Sequence, residues 1–223
     1  MFAAPTASAL PAEAPNAAYF AALRAADLRV AAIGYRLTTA NAALCRDLQP
    51  QLGMPIQALD QYGAAARTAA DMAFGFEAGV AVEDVVPNAP AMRAGVRAGD
   101  SLISLNGSAL PAKPMRSDSA ATADTRLAVE HAIAALSPNG PLTIGLRHGG
   151  HDRAVTVTPV AGCRTGIELM IGPGFDADSD GEKIRIGSRF VETFDDADVA
   201  GVIAHELAHT ILAHRKRLEA AKV

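Results

Sequence analysis

The stretch Ala94-Gly95-Val96-Arg97-Ala98-Gly99-Asp100-Ser101-Leu102-Ile103-Ser104-Leu105-Asn106-Gly107 reads as a short strand set between two turns. Gly95 and Gly99 punctuate the approach, Leu102, Ile103 and Leu105 supply the apolar positions, and Asn106-Gly107 closes the run. Asn-Gly suits a two-residue type I′ turn because both central residues need positive φ, so a tight hairpin is expected there. Outward from this point, residues 71–160 alternate short apolar stretches with Gly, Pro and Asn. A helix is expected over Thr125–Leu136. Leu142–Arg147 and Ala154–Val160 are expected to form a hairpin around His148-Gly149-Gly150-His151. Short strands and one helix in this order predict a small, partly open β-barrel.

The remainder flanks that region. The chain has 223 residues, half of them hydrophobic, enough for a sizeable core in one large or two ordinary domains. Twenty Lys and Arg against 24 Asp and Glu give a net charge of −4, which argues against nucleic acid as a partner. No apolar run approaches the length of a membrane span. Residues 1–15, rich in Ala and Pro without positive charge, lack the basic start of a signal peptide and read as a flexible leader. Ala17 to Ala32 is helical in pattern. Leu28–Leu37 is richer in β-branched and aromatic residues, so part of it reads as strand; Thr39–Leu48 reads as a second helix. Gly53, Pro55 and the polar residues after Gln57 read as a connection. Cys45 and Cys163 bracket the middle region. They form either one disulfide, implying an oxidising compartment, or two buried thiols.

Val86-Pro87-Asn88-Ala89-Pro90-Ala91, Ala94-Gly95-Val96, Ala98-Gly99-Asp100, Leu102-Ile103 and Asn106-Gly107 together resemble a bacterial PDZ domain over residues 71–160. The resemblance implies a domain that binds peptide C-termini by adding them as a strand to a sheet edge. It also implies that the terminal carboxylate rests on backbone N–H groups of an apolar-Gly-apolar loop. Phe74-Gly75-Phe76 stands where that loop is expected, with ordinary strand packing as the alternative for both phenylalanines.

The second motif is His205-Glu206-Leu207-Ala208-His209. On a helix, Val199, Ile203, Leu207 and Ile211 form one stripe, while His205 and His209 lie about 40° apart on roughly the opposite side. Two imidazoles one turn apart with an adjacent carboxylate are how a zinc peptidase holds its metal and activates water. Thr193 and Asp196 fit a capping box that opens the helix.

The wider segment, Ile184-Arg185-Ile186-Gly187, then Asp195 through His209, then His214, resembles metallopeptidase family 48, which holds the prenyl-protein and HtpX-like zinc endopeptidases. The resemblance covers roughly residues 165–217. It implies Zn2+ held by His205 and His209, Glu206 as general base, and the strand before the helix as the substrate-binding edge. The family's third ligand, a Glu on a later helix, matches nothing before Val223. His214 would lie about 180° from His205 on a continuous helix, Glu219 would need the helix to break at once, and Glu168 has no motif behind it. The resemblance therefore implies that the third ligand belongs to sequence beyond Val223 and that the chain as it stands is inactive.

The expected architecture is α+β: a PDZ-like partly open barrel inserted in a gluzincin-type unit. Residues 1–15 would be leader, 16–70 and 161–223 the peptidase unit, and 71–160 the PDZ domain. The expected function is zinc metalloendopeptidase, with protein or peptide substrates and peptide C-termini docked at the PDZ domain. A non-catalytic PDZ peptide-binding protein with a degenerate peptidase-like unit is the alternative. The expected location is periplasmic or secreted, with a lipid anchor as a further option in a full-length protein. Asp176, Asp178, Asp180 and Gly181 copy half of a calcium loop, but Gly187 stands where its Glu should be, so a polar turn is the plainer reading.

Overall fold

A computed structural model describes residues 15–113 and 120–221. The expected leader falls almost wholly outside the described residues. The first element is one helix, α1 (Ala17–Ala40), capped by Asn16, whose side chain accepts from the Tyr19 N–H. The strand expected within Leu28–Leu37 is absent. Val30 and Ile33, one turn apart, are buried against Ile186, Val191, Val199 and Ile203, and that packing outweighs their β propensity. The helix expected over Thr39–Leu48 is also corrected. Asn41 caps α1 through two hydrogen bonds to the Leu37 carbonyl, one 3-10 turn follows at Ala42–Leu44, and β1 (Leu48–Gln51) begins beyond it.

The segment expected to be a connection holds β2 (Ile56–Ala58) and α2 (Ala64–Phe74). Then come β3 (Val80–Val82), the short helix α3 (Pro90–Arg93), β4 (Ser101–Leu105), β5 (Ser108–Ala109) and α4 (Asp124–Ala134). A hairpin of β6 (Leu142–His148) and β7 (His151–Val157) follows. These strands form one antiparallel sheet in the order β2-β3-β4-β6-β7, with β5 paired to β4. Asn106 (φ 48°) and Gly107 (φ 83°) make the β4–β5 turn, and Gly149 (φ 60°) and Gly150 (φ 75°) make the β6–β7 turn, as the hairpin chemistry requires.

The sheet ends at β2 and β7 and does not close, so the partly open barrel is corrected to an open sheet. Alternation along β3 divides the two faces. Val80 and Val82 enter a core with Leu102, Ile144, Leu146 and Val129 of α4, while Ala81 enters a second core with Phe20, Phe74 and Phe76.

β8 (Val160–Cys163) returns to pair with β1, Leu48 opposite Cys163 and Gln51 opposite Val160. The chain thus enters and leaves the large sheet at one ribbon. Cys45 and Cys163 are bonded beside it, with Cα atoms 5.4 Å apart. Beyond the ribbon lie β9 (Gly166–Met170), β10 (Ala177–Ser179), β11 (Lys183–Gly187), α5 (Ser188–Thr193), α6 (Asp196–Ile211) and α7 (His214–Ala221).

Their sheet has the order β10-β11-β9, with β11 parallel to β9 and antiparallel to β10. α1 packs against both this sheet and α6, so the two ends of the chain share one core. Gly34 permits the approach, because a Cβ there would come within 2.4 Å of Ile167 Cδ1. No helix among the described residues is long and apolar enough to cross a membrane.

Candidate functional site

α6 carries the HExxH motif. Its N-cap is Asp195, whose carboxylate accepts from the Ala197 and Asp198 N–H groups, in place of the expected Thr193–Asp196 box. Val199, Ile203 and Leu207 are buried along one stripe, and Ile211 is partly buried beside Leu207. His205 is exposed and Glu206 and His209 are half-buried on the other side. His205 Nε2 lies 3.3 Å from His209 Nε2. Zinc–nitrogen bonds of tetrahedral geometry place two ligand nitrogens about 3.4 Å apart, so the pair already has the spacing of one edge of a zinc tetrahedron.

β10 flanks α6, with Ser179 Oγ and Thr210 Oγ1 3.3 Å apart. β10 is an edge strand, antiparallel to its neighbour. β11 was expected to be the substrate-binding edge, but it lies between β10 and β9 with both sides paired. Among the described residues, β10 has no strand paired on its outer side, and its Ser179 touches Thr210, the neighbour of His209. The carboxylates of the expected calcium loop are engaged within the β10–β11 pair and its turn: Arg185 binds Asp178 (3.0 Å) and Asp180 (2.6 Å), and Asp180 Oδ1 accepts from the Glu182 and Lys183 N–H groups.

α6 does not run on into α7. Ala213 has φ 49°, the left-handed region, and turns the chain so that His214 Nδ1 comes within 2.9 Å of His209 Nδ1. Sequence reasoning set His214 aside on the premise of one continuous helix, and the break removes that premise. His214 nevertheless meets the opposite ring nitrogen from the one facing His205, so the three rings do not converge on one point. Among the described residues, no group of three His, Cys, Asp or Glu side chains is arranged to hold a metal. Glu168 is engaged by Arg126 and by Lys183 at 3.1 Å. The Glu219 side chain lies outside the described residues. His205 and His209 thus have the mutual spacing of two metal ligands, and no third ligand joins them among the described residues.

The second site lies at the edge of the large sheet. Phe74-Gly75-Phe76 ends α2 and leads toward β3, which is paired on both sides and offers no edge. Phe74 and Phe76 are buried, packed with Phe20 and Tyr62. The expectation for this tripeptide is thereby corrected to aromatic packing.

The edge strand is β2, preceded by Leu52-Gly53-Met54, a second apolar-Gly-apolar loop that composition had assigned to a connection. Gly53 has φ 69°, and a Cβ there would meet Ala89 Cβ at 2.2 Å, so only glycine fits. The Leu52, Gly53 and Pro55 carbonyls accept from Ala91, Val86 and Glu83. The Gly53 and Met54 N–H groups have no hydrogen-bond partner among the described residues. Leu52, Ile56 and Val129 are buried in one cluster that joins this edge to α4. At the far end, the Asp60 carbonyl accepts from the Thr122 N–H (2.9 Å) and Thr125 donates to the Asp60 carboxylate, joining the end of β2 to the start of α4.

Charged and polar side chains gather where β2, α1 and α4 meet. Gln57 of β2 donates to Glu83 (2.8 Å) and accepts from the Tyr62 hydroxyl (3.0 Å). Burial pushes the Glu83 carboxyl up to about 8, with the neighbouring Asp27 charge adding to the rise. Asp27, on α1, rises to about 6, again chiefly by burial. Arg126 on α4 binds Glu130 (2.6 Å) and Glu168 of β9. For Glu168, the burial that favours the neutral acid is outweighed by Arg126 and Lys183, so its pKa falls below the usual value.

The family profile for the PDZ domain matches residues 32–158, more than half of the chain. A search of curated proteins returns no match. Among solved structures, the chain is similar to the HtrA3 PDZ domain bound to a phage-derived ligand, at 19% identity and a TM-score of 0.37, covering 51% of this chain and 88% of that one. It is similar to the HtrA-type protease AlgW with a decapeptide, at 19% identity and a TM-score of 0.37, covering 51% and 30%. It is also similar to the serine endoprotease from Yersinia pestis, at 24% identity and a TM-score of 0.29, covering 37% and 26%. The chain spans less than a third of the length of either protease.

Proposed function

The chain belongs to the PDZ-domain family, and on that premise we propose that it couples peptide docking to a zinc-dependent endopeptidase site. The observation that carries the second half is the 3.3 Å approach of His205 Nε2 and His209 Nε2 on a helix that also carries Glu206. A zinc ion held there would supply Lewis-acid activation of a peptide carbonyl and acidification of water. His205 and His209 would hold it. Glu206, one residue round the helix from His205, would take the proton from the attacking water and pass it to the departing amine. A substrate would lie extended along β10, hydrogen-bonded to its outer side.

Docking would use the other edge. A peptide C-terminus would add to β2, with its carboxylate on the Gly53 and Met54 N–H groups, the site expected at Phe74-Gly75-Phe76 having moved to this loop. The partners are accordingly protein or peptide substrates with free C-termini. The Cys45–Cys163 bond favours an oxidising location, periplasmic or secreted.

Titration of the chain with Co2+, followed by visible absorption, tests the metal half. Binding should be abolished by His205→Ala and kept by Glu206→Gln. In a metal-loaded protein that hydrolyses peptides, Glu206→Gln should lower the rate by about 10²–10⁴. A wild-type chain that binds no Co2+, or full hydrolysis in Glu206→Gln, leaves the non-catalytic peptide-binding protein as the better reading. For the docking half, a C-terminal peptide library should show binding that disappears when the terminal carboxylate is amidated. Equal binding by the amides rejects carboxylate docking.

A further inference from the structure

We infer that His214 is a positioning residue for the His205–His209 pair, an inference that rests on the metal reading above. The two Nδ1 atoms of His209 and His214 are 2.9 Å apart, a hydrogen bond that needs one proton between them. If His214 donates, His209 accepts at Nδ1 and carries its own proton on Nε2, aimed at His205 Nε2 only 3.3 Å away. That arrangement has no lone pair for a metal. If His209 donates from Nδ1, its Nε2 lone pair is free and points to the position that His205 Nε2 also faces. Only the second arrangement is competent to bind a cation, and it requires His214 Nδ1 as acceptor, with the His214 proton on Nε2. A ligating histidine whose other nitrogen donates to a fixed acceptor is held in tautomer and in ring orientation together.

The backbone gives the reason to regard this contact as built. An unbroken helix would carry His214 about 140° around the axis from His209 and out of reach. Ala213, a residue with a Cβ, instead adopts φ 49°, and His214 returns onto the His209 ring with centroids 4.7 Å apart and planes at 84°. Alanine is unfavourable in the left-handed region, so the turn persists because the surrounding contacts hold it. Arg215 donates to the Asp180 carbonyl at 3.3 Å, anchoring the start of α7 to the residue just after β10. His214 is therefore placed by both the substrate-side strand and the helix break.

Co2+ titration of the full chain, combined with nitrogen-15 NMR of the imidazole rings, tests the assignment. In His214→Ala the Co2+ affinity should fall by about 10–100-fold. His214→Asn, whose Oδ1 falls near the former Nδ1, should recover much of the loss. In the metal-free protein, His209 should carry its proton on Nδ1 in the wild type and shift toward the Nε2 tautomer in His214→Ala. Wild-type affinity in His214→Ala, or an Asn variant no better than Ala, overturns the inference while leaving the metal site standing. A wild-type chain that binds no Co2+ removes the metal site and the inference together.

Discussion

Half-buried Asp27 of α1 and buried Glu83, the residue after β3, act on each other as two neighbouring carboxyl groups. Arg126 and Arg24 lower the two pKa values and Glu168 raises that of Asp27, but burial dominates both: Asp27 rises to about 6 and Glu83 to about 8. Folded-state values above unfolded ones mean that the native protein binds more protons between about pH 4 and 8. The pair's contribution is therefore fully present below the unfolded values and is lost as pH rises toward 8. Melting temperature should fall between pH 5 and 8.5, and Glu83→Gln, which keeps the volume and removes the charge, should flatten that fall. An unchanged pH slope in Glu83→Gln, measured by scanning calorimetry, would rule out the pair as its origin.

Arg126 joins α4 of the large sheet to β9 of the small one through Glu130 and Glu168. The side chain is 10% exposed, so truncation to Ala leaves two partly buried carboxylates with only Lys183 to answer them. Loss of one partner from such a cluster costs about 3–5 kcal/mol when fully buried. Partial exposure of the glutamates argues for about 2–3 kcal/mol here. The urea midpoint of Arg126→Ala should drop accordingly. Arg126→Lys should restore little of it, because one ammonium cannot span both carboxylates as the guanidinium fork does. A Lys variant as stable as wild type would reduce the cluster to simple charge balance.

The parts of the fold legible in the sequence are those where a local rule and the tertiary environment agree. Asn106-Gly107 and Gly149-Gly150 form the expected turns, Lys183–Gly187 is a strand, and the buried stripe of α6 has the expected period. What escaped was decided by partners distant in sequence. Val30 and Ile33 look like strand residues until Ile186 and Ile203 pack against them in a helix. Ile56–Ala58 is too short to show alternation, and it is a strand only because β3 pairs with it. On α6, the shared side of His205 and His209 was readable from spacing alone. The position of His214 was not, because nothing in an alanine announces that it will adopt positive φ.

Cys45 and Cys163 are separated by 118 residues, and their bond closes a loop that contains the whole large sheet. A cross-link of that span acts mainly on the unfolded chain, and its removal typically costs about 2–5 kcal/mol. The β1–β8 ribbon beside it loses its tether but none of its own hydrogen bonds. The double variant Cys45→Ser, Cys163→Ser should therefore melt well below wild type while keeping the same far-ultraviolet circular dichroism. Equal melting temperatures in the variant and the oxidised wild type would show that the ribbon is held by pairing alone.

Two glycines separate the loop that the PDZ resemblance favoured from the loop that the sheet edge favours. Gly53 and Gly75 both have positive φ, 69° and 67°. An added Cβ at Gly75 finds its nearest neighbour, the Gly99 carbonyl oxygen, at 3.7 Å, so Gly75→Ala should cost only the backbone term, about 1–2 kcal/mol. At Gly53 the same atom would meet Ala89 Cβ at 2.2 Å, adding an overpacking cost of about 1–3 kcal/mol and displacing the loop. If Gly53 and Met54 supply the carboxylate-binding N–H groups, Gly53→Ala should abolish binding of C-terminal peptides under conditions where the protein remains folded, and Gly75→Ala should leave it near wild type. Folding of each variant is read by circular dichroism and binding by fluorescence anisotropy. The opposite ranking in anisotropy, with Gly75→Ala the damaging change, would return the docking site to the end of α2.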